Sequence, residues 1–374
     1  MKIAIYGCNE GDAGFGHVFI NLINALGKRC DQLVVVTHQA EVPDFNKVDV
    51  SIRRAIIGSG SGFKRARLLA DFLRRENPDI ILCDSNREKS SRILLLAKFL
   101  AGSSVRIVFR LGVPITSIIA QRNAFNAWLY LQSVKYTFGR ADFVIANAPG
   151  VADDLVAHAR VAAGKIKVID NSTVAASLQE MALARVEENW FSDPAIPVIL
   201  SAGRLRKVKD FEMLLRAFAQ VRATRDCRLI ILGEGSDRRR LEELIEQLGL
   251  RGQALLPGHR SNPFAYMRHA ALFVLSSRFE GSPNVLIEAL AVGVPVVATD
   301  CHSGPREILE NGTYGPLVPV GDAEQMATAI LATLASPLPA ETLRRASARF
   351  DADTVAGHYV EMFQSLVKGS NRRN

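Results

Sequence analysis

Cysteine is sparse and badly placed for pairing. Cys8, Cys30, Cys83, Cys227 and Cys301 are odd in number, scattered, and contain no Cys-x-x-Cys pair. That pattern argues against a disulfide framework and a zinc site, and a reducing compartment is expected. Long apolar runs are missing too. The longest, residues 93–102, is interrupted by Lys98 and falls short of a bilayer-spanning helix, which needs about 20 residues. Met1 leads straight into the strand-like MKIAIYG without signal-peptide organisation, so a cytoplasmic protein with no transmembrane anchor is expected. Acidic clusters are absent from the strand ends. The one Asp-x-Asp, Asp351 and Asp353, falls near the tail, and neither a metal nor another cofactor is expected. No motif with interleaved aromatics accompanies the net charge of +8. Nucleic acid is therefore not expected as a partner, while phosphorylated ligands and an anionic membrane face both suit the charge.

What is present is a rhythm. Hydrophobic residues are 48% of the 374 and charged residues 22%, enough to bury a core in each of two domains. Short apolar runs alternate with helical-period stretches throughout. They are KIAIYG, QLVVVTH, DIILCD, VRIVFRLG, DFVIANA and IKVIDN, then PVILSAG, RLIILGEG, QALLPG, ALFVLSS, VPVVATD and GPLVPVG. Continuous Val/Ile/Leu runs mark strands buried on both faces, and helices between them imply a parallel α/β sheet. Polarity rises over residues 182–197, where Pro194 and Pro197 interrupt, so a junction is expected near residue 190. The reading is two doubly wound, Rossmann-like domains over 1–190 and 191–350. A helix with a basic tail follows over 351–374 and packs back towards the first domain. Two such domains facing each other create a central cleft, with ligands at the carboxyl ends of the strands.

The stretch 271–300 carries the chemistry. ALFVLSS reads as a buried strand, Ser282 as an N-cap, and Pro283 as the first residue of a helix that stops at Gly293. Glu280 then sits in a loop and Glu288 on the helix. The amides of Asn284, Val285 and Leu286 at the helix start suit a phosphate, and an acid behind them suits ribose hydroxyls. The bland reading of two such acids is a solvated face. Neighbouring strand ends weigh against it. Arg204 and Lys209 follow VILSAG and can hold a diphosphate, Arg as a bidentate fork and Lys as a point charge. Gly233-Glu234-Gly235 adds a turn at a third strand end.

The sequence GRL with Lys209 five residues after Arg204, followed by LPGHRSNPFAYMRHAALFVLSSRFEGSPNVLIEALAVGVPVVATDCHSGPREIL, resembles the retaining family 4 glycosyltransferases of the GT-B fold. Their E-x7-E signature is met by Glu280 and Glu288. The resemblance is dense over 198–309 and looser earlier, where GDAGFGHVFINLINALG resembles the family's glycine loop and first helix. It implies a nucleotide-sugar donor, UDP before GDP, bound by the second domain. The acceptor, held by the first, would be a glycan or lipid-linked molecule of surface polysaccharide, lipopolysaccharide or glycolipid synthesis. Arg204 and Lys209 would neutralise the diphosphate, Glu288 would bind the ribose and Glu280 the sugar hydroxyls. Glu280, Arg204 and Lys209 are thus the catalytic set. Gly281, Ser282, Asn284 and Val285 would offer amides to sugar and phosphate, with Gly233 nearby. His259 and Arg260 would border the base, and Gly14 and Gly16 would close over a phosphate. In the family the acceptor attacks from the face the leaving group departs, so the two glutamates are binders rather than nucleophile and acid. The family's first-domain histidine has no counterpart in VFRLGVPIT, which holds Arg110, Leu111 and Gly112. His17 is the nearest candidate elsewhere.

Residues 122–140 and 62–77 mix aromatic and basic side chains at helical spacing. Such a surface suits the headgroup level of an anionic membrane, or else core helices with snorkelling cations. Two further readings stand beside transfer. One is a different GT-B chemistry, a nucleotide-sugar epimerase or a glycan phosphorylase. The other is a non-catalytic basic protein that binds a membrane or nucleic acid.

Overall fold

The computed structural model describes residues 1–7, 16–39, 45–84, 88–120, 122–186 and 188–370. The first sheet is built from β1 (Lys2–Tyr6), β2 (Gln32–Thr37), β3 (Arg53–Ile56), β4 (Ile80–Asp84), β5 (Arg106–Leu111), β6 (Phe143–Ala146) and β7 (Ile166–Val168). Its order is β3-β2-β1-β4-β5-β6-β7, with every pairing parallel. The second contains β8 (Val198–Ala202), β9 (Arg228–Leu232), β10 (Ala254–Gly258), β11 (Leu272–Leu275), β12 (Val296–Thr299) and β13 (Leu317–Val318). It runs β10-β9-β8-β11-β12-β13, again all parallel. Both are doubly wound, as the apolar runs imply.

The reason is visible in β1. Ile3 and Ile5 face one buried cluster while Ala4 and Tyr6 face another. Period-two alternation therefore sends residues to two covered faces, and the strand reads as an unbroken apolar run. β3 is the strand the runs do not announce. Its Arg-Arg-Ala-Ile segment pairs only with β2, at the sheet edge, where charge on a strand discourages unwanted pairing.

The chain divides into one unit of residues 1–173 and 350–374 and a second of 174–349. The junction thus lies earlier than residue 190. Residues ahead of β8 are tied to the second unit by specific bonds. Gln179 Nε2 donates to Ala291 O (2.7 Å), Asn262 Nδ2 to Met181 O (2.7 Å) and Arg228 Nη1 to Trp190 O (3.1 Å). The last helix, Ala352–Ser370, belongs to the first unit. Val355, Ala356, Tyr359, Met362 and Phe363 join Ile3, Ile5, Phe19 and Leu22 in one core. The Asp-x-Asp opens this helix: Asp351 Oδ1 accepts from the amides of Asp353 (3.0 Å) and Thr354 (3.1 Å).

Candidate functional site

In a doubly wound sheet, ligands bind where the strand order reverses. In the second unit that point lies between β8 and β11. The loop leaving β8 carries Arg204 and Lys209, and the loop leaving β11 carries Glu280. Topology alone therefore brings the cations and the first glutamate to one place.

Their contacts are close. Lys209 Nζ and Ser277 Oγ both donate to Glu280 Oε1, each at 2.6 Å. Glu280 Oε2 accepts no hydrogen bond from the described residues. The pair is mostly out of water, with side-chain exposures of 21% for Lys209 and 12% for Glu280. The two loops are stitched as well. Ser276 Oγ donates to Lys209 O (2.7 Å), and the Arg278 amide to Val208 O (2.8 Å). Thr299 Oγ1 holds Ser277 O at 2.6 Å, and Ser303 Oγ holds Gly281 O at 2.9 Å. Burial and, next in weight, the charge of Glu280 push the Cys301 thiol up to about 12. Ser276, Ser277, Thr299 and Ser303 escaped the sequence reading. The one available signal was two consecutive serines closing a strand.

Glu288 lies on the helix Asn284–Val292 and is 5% exposed. With Glu280 nearly as covered, the solvated-face reading of the two acids fails, since an ionised carboxylate leaves water only where something compensates it. The helix start differs by one residue from expectation. Pro283, at φ −71° and ψ 95°, is the N-cap, and Ser282 stands outside the helix. The Leu286 amide already donates to Pro283 O (3.0 Å), which removes it from the set facing a phosphate. Asn284 and Val285 occupy the first two helical positions, and Gly293 ends the helix at φ +84°.

Gly233 has a packing explanation. Its φ is +134°, and a Cβ there would stand 2.0 Å from Gly203 O. Absence of a side chain lets β8 and β9 end flush, with Gly203 N donating to Leu232 O and Leu205 N to Glu234 O, both at 2.9 Å. Arg260 is committed internally. It donates to Pro257 O (2.6 Å) and Tyr266 Oη (2.9 Å) and pairs with Glu188 (3.0 Å), and the bonds to Tyr266 and then Glu188 raise its already high pKa. Tyr266 bonds Glu188 in turn. This network anchors the segment ahead of β8 to the end of β10. His259 is exposed beside it, and Arg204 is exposed in its loop.

In the first unit, Gly16 is the first residue of the helix Gly16–Gly27, whose second is His17, while Gly14 lies outside the described residues. Arg110 is 3% exposed at the end of β5. Its guanidinium donates to Asn171 Oδ1 (2.6 Å), stands 3.8 Å from Asp84, and bonds the Tyr359 hydroxyl. Among the described residues no group of three or more His, Cys, Asp or Glu is placed to hold a metal ion, and no helix is long and apolar enough to cross a membrane.

Comparison with known proteins closes on one family. The model of the glycosyl transferases group 1 matches residues 186–350, and that of Glycosyltransferase Family 4 matches residues 13–173. The chain is 33% identical over 234 residues to the N-acetylgalactosamine-N,N'-diacetylbacillosaminyl-diphospho-undecaprenol 4-alpha-N-acetylgalactosaminyltransferase of Campylobacter jejuni. That match covers 63% of this chain and 61% of the relative, so it spans about three-fifths of the relative's length. It is 26% identical over 363 residues to the lipopolysaccharide core biosynthesis glycosyltransferase LpsE of Rhizobium meliloti, covering 93% and 92% of the two. The fold matches that of Anabaena HepE in complex with UDP, with a TM-score of 0.78 at 22% identity over 98% of this chain and 100% of that one. The chain belongs to the family 4 glycosyltransferases of the GT-B fold.

Proposed function

We propose that the chain is a retaining glycosyltransferase that moves a hexosyl or N-acetylhexosaminyl group from a nucleotide sugar. UDP is favoured over GDP as the carrier. The acceptor is a glycan or lipid-linked molecule of surface polysaccharide, lipopolysaccharide or glycolipid synthesis. One observation carries this reading: Glu288 is buried and Glu280 half-buried around a strand–loop–helix turn at the switch point, and Lys209 sits on Glu280. The names of the relatives support the acceptor class, and the UDP complex of the structural neighbour supports the carrier.

Breaking the anomeric C–O bond builds positive charge on the sugar and negative charge on the departing diphosphate. Cations and helix-terminal amides aimed at that negative charge stabilise it most where water is excluded. In this reading Arg204, Lys209 and the amides at Asn284 and Val285 face the diphosphate, and the work of a divalent ion falls to the two cations. Lys209 reaches the phosphate while still bonded to Glu280 Oε1, which leaves Oε2 to the sugar hydroxyls. Glu288 takes the ribose. In the first unit Phe125 and Trp128 are 67% and 54% exposed with their rings stacked, and Arg122 covers the Tyr130 ring at 4.4 Å. Exposed aromatics with adjacent cations support contact with an anionic membrane.

Thermal melting with UDP, GDP, ADP, CMP and NAD tests the donor site on the wild type, Glu288→Ala and Arg204→Ala. A ligand at 100 times its Kd adds about 2.7 kcal/mol. A shift with UDP that both variants lose is the expected result. A shift with none of the five, or one untouched by either substitution, sinks the reading. Product formation in excess chelator, and the anomeric configuration of the product by NMR, decide metal independence and retention.

A further inference from the structure

We infer that the second unit holds a phosphate-binding pocket beside the β8 loop, lined by residues other than the donor cations. A cavity of about 120 Å³ opens there, and it takes in neither Arg204 nor Lys209 nor either glutamate of the E-x7-E pair. Four cations line it: Arg206, Lys207, Arg240 and Arg278. Two are held by neighbouring acids. Arg240 grips Glu212 with Nε at 2.7 Å and Nη2 at 2.9 Å, and Arg278 Nε stands 2.8 Å from Asp210. Glu212 and Asp210 cancel those two charges and fix the two guanidinium groups beside the cavity. Arg206 and Lys207 have no side-chain hydrogen bond or ion pair among the described residues. Asp237 also lines the cavity and its side chain bonds only Ser236 Oγ among them, so the lining keeps one net positive charge.

The backbone adds the same polarity. The helices Phe211–Thr224 and Arg238–Gln247 both begin at the cavity wall, and neither N-cap, Asp210 or Asp237, makes a side-chain capping bond. First-turn amides and a net positive lining around one small space suit a tetrahedral oxyanion, and the volume suits a single phosphate group. Phe211 and Leu241, both buried, close its floor. The ligand class is therefore inorganic phosphate or the phosphate of a small phosphomonoester. The turn Lys207–Lys209 spans both surfaces, so an anion gripped by Arg206 and Lys207 fastens the turn that presents Lys209 to Glu280.

Isothermal titration of the full chain at fixed ionic strength tests this, with inorganic phosphate and ribose 5-phosphate as the two probes. Arg204→Ala is the background, which weakens any phosphate bound by the donor cations. Saturable one-to-one binding is expected there, and adding Arg206→Ala with Lys207→Ala should weaken it at least tenfold. Replacing both with Gln, which keeps the side-chain length, should give the same loss and an unchanged melting temperature in chloride. Equal affinity for the two probes identifies free phosphate as the ligand, and tenfold tighter binding of the ester identifies a phosphomonoester. No saturable binding of either probe, or equal binding with and without Arg206 and Lys207, overturns the proposal. Because the readout needs no nucleotide, it can fail while the donor reading stands, and the reverse.

Discussion

The contact between Lys209 and Glu280 gives the sharpest quantitative test. Nζ and Oε1 are 2.6 Å apart, and no more than about a fifth of either side chain meets water. Such a pair lies outside the exposed class worth about 0–1 kcal/mol. The gross Coulomb attraction at an effective dielectric constant of 20 is about 4 kcal/mol at 4 Å, but desolvation offsets much of it. A hydrogen bond to a charged partner nets about 1.5–3 kcal/mol. The expected coupling is therefore about 2 kcal/mol, or roughly thirtyfold in an equilibrium constant. Lys209→Met, Glu280→Gln and the double variant close the cycle. Urea unfolding, followed through the transition of the second unit, supplies the free energies. Lys209→Met alone should cost more than the double variant, because it strands a half-buried carboxylate with only Ser277 on it. The same four proteins should rank differently for UDP. Both proteins lacking Lys209 should bind it weakly, and Glu280→Gln should bind it nearly as the wild type does. A coupling below about 0.5 kcal/mol refutes the claim that this pair is structurally engaged before any donor arrives.

Three further outcomes follow from other contacts. Ser277→Ala removes one of two donors on Glu280 Oε1. It should lower kcat/KM for the UDP-sugar by about five- to tenfold, near 1 kcal/mol, while leaving UDP affinity alone. Equal losses for sugar donor and free nucleotide would count against it. Gly233→Ala forces a Cβ to 2.0 Å from Gly203 O at φ +134°, whereas Gly249→Ala, at φ +67°, meets nothing within 4 Å. The first should cost more than about 3 kcal/mol and the second about 1–2 kcal/mol, so equal melting temperatures would contradict the packing account. Glu76 is held down to about 2 by hydrogen bonds from Arg53 and then Lys2. A folded pKa below the unfolded one adds stability that is complete above about 4.5 and is lost as pH falls towards 2. Against Glu76→Gln, the wild type should gain about 1–2 kcal/mol at pH 7 after allowing for the solvent around Arg53. A difference that does not shrink between pH 4.5 and pH 2 would refute this.

The sequence carried most where burial is symmetric. β1, β4, β8 and β11 are covered on both faces, so their apolar runs read directly as parallel strands. β3 escaped because an edge strand pairs on one side only and tolerates Arg53 and Arg54. Glu280 and Glu288 were visible as a spacing, since a loop and one helix fix their separation locally. Their support was not, because Ser277, Thr299 and Lys209 meet only once β8, β11 and β12 lie side by side. Arg260 shows the converse. Its internal partner, Glu188, lies 72 residues earlier, and no local pattern announces that bond. That same long-range tie is why the polar stretch 182–197 looked like a linker yet belongs to the second unit.

The last helix has a consequence for synthesis. Tyr359, Met362 and Phe363 complete a core whose other half, Ile3, Ile5 and Phe19, leaves the ribosome ahead of the second unit. The second unit is contiguous and can close as soon as it is made. The first must wait, holding an open apolar strip through the translation of the entire second unit, before its final element arrives. At about 5–20 residues per second this is a delay of many seconds. During that interval the nascent chain presents the surface that chaperones recognise. A stop codon near residue 350 would make the exposure permanent and strip the Arg110 guanidinium of its Tyr359 hydroxyl.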